Sequence, residues 1–343
     1  MYSENIKLTS GYISSMTELT LGQVILLLSH EHNDEVAIEL TRKYCLQSTN
    51  NEIQKKGLEF LYINGFYDDL KELIKLNEGS EHYSNRLWAK VYQIVLARRT
   101  RSYPLEQMRR ELQDIKTDDP ELRCLIEFTI VDTYYSQLEF GQIGNLLSKQ
   151  QALFDAIHDQ FMLSAFNLRL YQKLFIYYWK KNELIMARKY AFRAINQTTN
   201  PITKLNMHVN LALTYTFDTY YQGMYHLKEA LKIAKKHNYS KKVYGIENHN
   251  IPFLSANFNK VDGISSEDPT EQAHIEIAKG NYDKATEILQ DVELNSPFKL
   301  YYMGLATQDR NMLTESYKLF IEKRNDYFFS RLPLNALKEM GEI

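Results

Sequence analysis

The sequence predicts an all-α protein built from tetratricopeptide-like helical repeats, coiled as a right-handed superhelix. Three observations predict it. Glycine and proline are scarce, at 13 and 7 in 343 residues, whereas all-β chains need more of both for their turns. Helical periodicity runs almost without interruption between short polar breaks. A small-residue spacing recurs at close to the period of such repeats. At this length a single core is exceeded, so a repeat array or several domains must share the burial.

The elements follow in chain order. Residues 8–16, Leu-Thr-Ser-Gly-Tyr-Ile-Ser-Ser-Met, read like the recognition helix of a Cro/repressor-type helix-turn-helix, with residues 21–26 as the helix after it. The preceding helices of such a domain are absent. Residues 1–30 are therefore either a remnant or truncated DNA-binding region, with Ser10, Tyr12 and Ser14 as its DNA contacts, or a plain capping helix for the solenoid. Next, Leu58, Leu61 and Tyr62 share one helical face, and Leu70, Leu73 and Ile74 share another. The breaks Asn77-Glu78-Gly79-Ser80 and Lys116-Thr117-Asp118-Asp119-Pro120 separate helices. In the second, Asp119 suits an N-cap and Pro120 the first helical position.

Repeats 31–260 and 261–343 form two groups. Ala187, Ala191 and Ala194 lie at offsets 0, 4 and 7, as do Gly223, Leu227 and Ala230. Ala285, Leu289, Val292 and Pro297 continue the pattern after a tight turn at residues 280–285, and Ser316, Phe320 and Lys323 are a weaker copy. The small residue lets paired helices approach and the following positions fill their seam. Residues 261–269, the longest irregular stretch, divide the groups and are expected to act as a hinge.

The chemistry of catalysis is not legible. His30 and His32 point to different sides of a helix, and no HExxH, CxxC, P-loop, GxGxxG or GxSxG occurs. No metal site, cofactor or catalytic residue is expected. Net charge is −2, so no general basic field attracts nucleic acid. Cys45 and Cys124 are too few and too distant for a disulfide framework. With no apparent signal sequence or membrane span, a cytoplasmic protein is expected.

One pair of polar residues is more specific. Asn206 and Asn210 stack one turn apart on a first-helix position, the kind that lines the concave face of such repeats. Their amides can each donate to and accept from an extended peptide backbone; solvation is the alternative. Among 25 tyrosines, most should pack helices together with the hydroxyl at the rim.

The end of the chain, Asn325-Asp326-Tyr327-Phe328-Phe329-Ser330-Arg331-Leu332-Pro333-Leu334 with Lys338-Glu339-Met340-Gly341-Glu342, resembles the AimR family of arbitrium peptide receptors from SPbeta-like phages. That family belongs with the peptide sensors of the Rap, NprR, PlcR and Rgg class. Glu271-Gln272-Ala273-His274 matches a second segment, and Tyr44-Cys45-Leu46 and Leu58-Glu59 match weakly. The resemblance implies a homodimer, an N-terminal region that contacts a DNA operator, and a superhelix that binds a short phage-encoded signalling peptide to control lysis against lysogeny. It places Glu271 and Asp326 against a peptide arginine, with Phe328 as an apolar contact. A family arginine becomes Lys55 or Lys56 here, and another falls near Lys204; lysine keeps the charge but not the bidentate fork. Two family asparagines fall at Ile176 and Lys180. The apolar end segment, residues 327–337, is expected to form the dimer with the last two helices. The shorter N-terminal segment predicts weak specific DNA binding by this chain alone. Other readings from a different class are an interaction scaffold or a Rap-like antagonist of a protein partner.

Overall fold

The computed structural model describes residues 19–100 and 102–341, and every described regular element is helical, with no strand among them. The order is α1 (Leu21–Glu31), α2 (Asp34–Gln47), α3 (Asn51–Asn64), α4 (Tyr67–Glu78), α5 (Tyr83–Thr100), α6 (Leu105–Asp114), α7 (Pro120–Ser136), α8 (Ile143–Asp155) and α9 (Gln160–Lys180). It continues with α10 (Leu184–Gln197), α11 (Pro201–Leu213), α12 (Tyr220–Lys236), α13 (Ser240–Gly245), α14 (Ile251–Asn257), α15 (Pro269–Ala278), α16 (Tyr282–Gln290), α17 (Pro297–Thr307), α18 (Arg310–Lys318) and α19 (Arg331–Glu339). A π-turn, Ile246–Asn250, joins α13 to α14, and another, Leu319–Lys323, extends α18.

The described residues form two compact units, one within 19–137 and 144–169, the other within 138–143 and 170–341. The division expected at 260/261 is not where the units part. Residues 261–269 lie inside the second unit and are tied down. Ser266 Oγ donates to the Asn248 carbonyl at 2.7 Å, the Glu267 N–H donates to Asn248 Oδ1 at 2.8 Å, and Gln272 Nε2 donates to the Ser266 carbonyl at 2.7 Å. These bonds tie the segment to Asn248 in the π-turn and to Gln272 at the start of α15.

Local chemistry sets the helix ends. Asp119 Oδ1 accepts from the N–H groups of Glu121 and Leu122, with Pro120 opening α7 as expected. Its other oxygen accepts from Trp88 Nε1 at 2.8 Å, so the cap also anchors a fully buried ring. Gly280 takes φ +82° in the turn between α15 and α16, a left-handed conformation that favours glycine. Glu276 fixes the same turn by accepting from Asn281 Nδ2 at 2.7 Å and Lys279 Nζ at 3.0 Å. Those bonds, Asn281's first, hold its carboxyl at about 2.

The repeat seam is where the spacing puts it. Ala187, Ala191, Ala194, Leu227, Ala230, Ala285, Leu289, Ser316 and Phe320 are all fully buried. A Cβ on Gly223 would meet Leu254 Cδ2 at 2.6 Å and the Ala212 carbonyl at 3.2 Å, so α12 packs against α11 and α14 only because this side chain is missing. The weaker copy fails at its last position, since Lys323 is exposed.

Candidate functional site

In the second unit, α15 starts at the Asp268 cap, which accepts from the Glu271 N–H at 3.1 Å. That fixes the first turn and turns the Glu271 carboxylate toward α17. Tyr302, fully buried, donates to Glu271 Oε1 at 3.4 Å. One turn along, the His274 ring stacks on Tyr302 with centroids 4.2 Å apart. Glu271 Oε2 and His274 Nδ1 are 3.5 Å apart, and both are buried without a hydrogen-bond partner. Buried polar groups in native proteins nearly always find partners. A carboxylate oxygen and an imidazole nitrogen, held side by side against an aromatic ring, suit a cationic donor.

On α11, Asn206 and Asn210 share a half-buried face, and Lys204 sits in the first turn. Asn206 Oδ1 already accepts from Lys242 Nζ at 2.8 Å. Neither Asn210 nor Lys204 makes a side-chain hydrogen bond among the described residues, so the two asparagines are not equivalent. His208, midway between them in sequence, points the other way into α12. There its Nδ1 lies 3.1 Å from His226 Nδ1, both rings buried. Burial, then the neighbouring His208 and Arg188, push the His226 pKa down to about 4. Burial likewise depresses His208, with Glu229 opposing and Lys204 reinforcing. This pair went unremarked in the sequence because nothing local joins residues 208 and 226.

The remaining carboxylate expected at the site is differently placed. Asp326 is 2% exposed, and its Oδ2 pairs with Lys180 Nζ at 2.7 Å while its Oδ1 accepts from the Phe329 N–H at 3.0 Å. The Lys180 ammonium lies 3.9 Å from the Trp179 ring centroid and 4.6 Å from that of Phe329. Burial pulls the Lys180 pKa below the usual lysine value and Asp326 opposes the shift. Lys180 is thus the partner that sequence reasoning missed. The residue noted as a departure from the family pattern is the one that matches Asp326's charge. Phe328 is fully buried, edge-on to Trp179 and Phe217. Phe329, Leu332, Ala336 and Leu337 are also buried within the unit. The end segment therefore uses its apolar side chains internally, and Tyr327 is its exposed aromatic.

Lys55 and Lys56 belong to the first unit. Lys55 Nζ pairs with Glu52 at 2.6 Å and donates to Ser84 Oγ at 3.3 Å, beside a cavity of about 440 Å³ lined also by Asn51, His82 and Asn85. Lys56 Nζ pairs with Asp159 at 2.6 Å and lies 3.8 Å from Glu121. Burial raises the Glu121 carboxyl to about 7 despite Lys56. On Lys56, burial is the largest influence and opposes protonation, but the bond to Asp159 and the charges of Glu121 and Asp159 together raise its pKa. Deeper in, Arg169 forms a fork to Glu59 with both bonds at 2.8 Å, and Tyr92 donates to the same carboxylate.

Ser10, Tyr12 and Ser14 lie outside the described residues. Among the described residues no cluster of three or more His, Cys, Asp or Glu could hold a metal ion. No described helix is long and apolar enough to cross a membrane.

The comparisons with known proteins agree in direction. A family model described as AimR transcriptional regulator-like matches residues 37–339. An uncharacterised Bacillus anthracis protein, pXO2-35, is 24% identical over 245 residues, covering 68% of this chain and 90% of that protein. The AimR transcriptional regulator of Bacillus phage phi3T is 25% identical over 319 residues, covering 88% of this chain and 82% of its own. That of Bacillus phage SPbeta is 23% identical over 323 residues, covering 89% and 81%. The solved structure of phAimR with ligand superposes at a TM-score of 0.74 and 22% identity, over 98% of this chain and 99% of that one. Selenomethionine phAimR gives 0.69 at 22% identity, over 94% and 86%. These two structures bear on the fold.

Proposed function

The chain belongs to the AimR transcriptional regulator-like family, whose members are regulators and not enzymes, and from that premise we propose that it is switched by a short arginine-containing peptide. The observation that carries this reading is the buried pair Glu271 Oε2 and His274 Nδ1, 3.5 Å apart and neither in a hydrogen bond, against the Tyr302 ring. A guanidinium satisfies a carboxylate with two parallel N–H bonds and stacks on an aromatic face. The peptide backbone runs along α11, where the Asn210 amide is ready to bond it and Asn206 can do so by exchanging its bond to Lys242. Lys204 meets the peptide's C-terminal carboxylate. Asp326 keeps Lys180, so Glu271 supplies the charge for the arginine and Asp326 and Phe328 hold the ground behind it. Lys55 and Lys56 keep their partners inside the first unit.

The finer parts of the reading come from the family. The peptide is a phage-encoded hexapeptide of arbitrium type, and its binding alters operator occupancy and so the choice between lysis and lysogeny. The regulator works as a homodimer in the host cytoplasm.

Calorimetry with a set of synthetic hexapeptides tests the peptide. A member containing arginine should bind, and replacing its arginine by alanine should cost about 2–5 kcal/mol, the usual loss for one partner of a desolvated charge pair. Glu271→Gln should weaken the parent peptide by at least about thirtyfold and should scarcely affect the alanine peptide. Additive losses would refute the pairing, and failure of every arginine peptide to bind would refute the reading. Light scattering at micromolar concentration should give a mass above the 40.4 kDa of one chain; a monomer would remove the dimer from it.

A further inference from the structure

Two helices of the second unit, joined through the His226 ring, expose apolar side chains beside positive charge. On α10, Ile185 is 87% exposed and Phe192, two turns later, 43%. On α12, Tyr221 is 73% exposed and Tyr225, one turn later, 58%. The buried His226 ring joins the two rows, 5.9 Å from Phe192 and 5.1 Å from Tyr225. Exposed single hydrophobic residues need no explanation, but adjoining ones on neighbouring helices do.

The charges around them are one-sided. Helix α10 carries Arg188, Lys189 and Arg193 and no acidic residue, while α12 carries Lys228, Lys232, Lys235 and Lys236 against Glu229 alone. Arg188 is committed to Asp218 at 2.8 Å and to Thr214, and Lys235 pairs with Glu247 at 2.8 Å. Lys189, Arg193, Lys228 and Lys232 are exposed and form no ion pair among the described residues. In a chain of net charge −2, this is a local field. None of these residues belongs to the peptide pocket.

We propose that the exposed face of α10 and α12 docks a protein segment that is amphipathic and acidic, with apolar side chains at helical spacing flanked by Asp or Glu. The apolar residues supply the desolvated centre, as buried aromatic and aliphatic anchors do in protein interfaces. The four cations form the rim that steers and selects an acidic partner. Nucleic acid would also meet the cations, but the Ile185 side chain has nothing to offer a phosphate or a base plane. Charge complementarity together with an aliphatic anchor therefore selects a protein segment.

The probe is a displayed library of random 16-residue peptides, selected on the full chain. Counter-selection uses an Ile185→Ser, Tyr221→Ser double variant whose helicity is first checked by circular dichroism. Enriched peptides should carry Asp or Glu beside apolar residues three or four apart. One such peptide, synthesised and measured by fluorescence anisotropy, should bind at least about tenfold more weakly to the double variant. A Lys189→Glu, Lys228→Glu variant should lose a similar factor, and added salt should weaken binding further. Three results would overturn the proposal. They are enrichment indifferent to these substitutions, enriched peptides without acidic residues, and a 20-nucleotide single strand that binds this face more tightly than the peptide.

Discussion

The two units are made of the same kind of helix and are held by different physics. The interior of the first is crossed by charge. Glu59 is fully buried and Arg169 5% exposed; with Tyr92 they link α3, α5 and α9, and Asp132 lies 3.5 Å from Arg98 between α7 and α5. The second unit is closed by rings and small residues. Trp179, Phe217, Phe328, Phe329, Phe298 and Phe320 form a chain of edge-on contacts at its C-terminal end. A buried ion pair there, Lys180 with Asp326, is packed against Trp179 and Phe329 of that chain. Buried ion pairs often add little net stability over well-packed apolar residues, yet they punish the loss of one partner. The first unit is therefore the less forgiving of single charge changes, and the second of lost volume.

The comparison can be broken most directly at Arg169. Arg169→Met leaves the buried Glu59 carboxyl without its counter-ion and with the Tyr92 hydroxyl alone, and should cost about 3–5 kcal/mol in urea titrations. The triple variant Glu59→Leu, Arg169→Met, Tyr92→Phe should regain most of that loss. If the triple variant stays as unstable as the single one, the charges stabilise the first unit outright. In the second unit Phe328→Ala should cost a similar amount, about 3–5 kcal/mol, through lost burial and the cavity it leaves. A loss below about 1 kcal/mol would mean the ring cluster is not the core it resembles.

Acid should act on the second unit through His226. Its folded pKa, about 4, lies below the ordinary 6.5, so in that window the unfolded chain binds more protons. Stability is then highest above 6.5 and is lost as the pH falls. One pKa unit corresponds to about 1.4 kcal/mol, so moving from pH 6.5 to 5 should remove up to about 2 kcal/mol. His226→Phe should flatten this part of the profile; an unchanged slope would assign the sensitivity elsewhere. Gly223→Ala should cost about 1–2 kcal/mol by pushing Leu254 and the Ala212 carbonyl away, read as a lower thermal midpoint. Asp119→Ala should cost about 2 kcal/mol in the first unit, about half from the lost cap and half from the stranded Trp88 N–H.

Much of this architecture is legible residue by residue, because its causes are local. The offsets 0, 4 and 7 at Ala187, Gly223 and Ala285 follow from 3.6 residues per turn and the need for close helix approach. Asp119-Pro120 declares a helix start through the unpaired N–H groups of its first turn. Glu271 was singled out through a motif rather than its surroundings, and its neighbours Tyr302 and His274 are visible only in the structure. Asp326 and Phe328 were expected beside a peptide arginine, and the pattern that marks them does not say that both are buried.

By itself the sequence determined the helical class, the repeat seam, the Asp119 helix cap and the family, all of which depend on near neighbours or on a contiguous motif. Only the tertiary structure decided which charges are buried and with whom. Glu59 meets Arg169 across 110 positions and Lys180 meets Asp326 across 146. A charged residue on a helix has the same local signature whether water or a distant counter-ion completes it. The free energy that separates those cases arises only when the chain has closed around them.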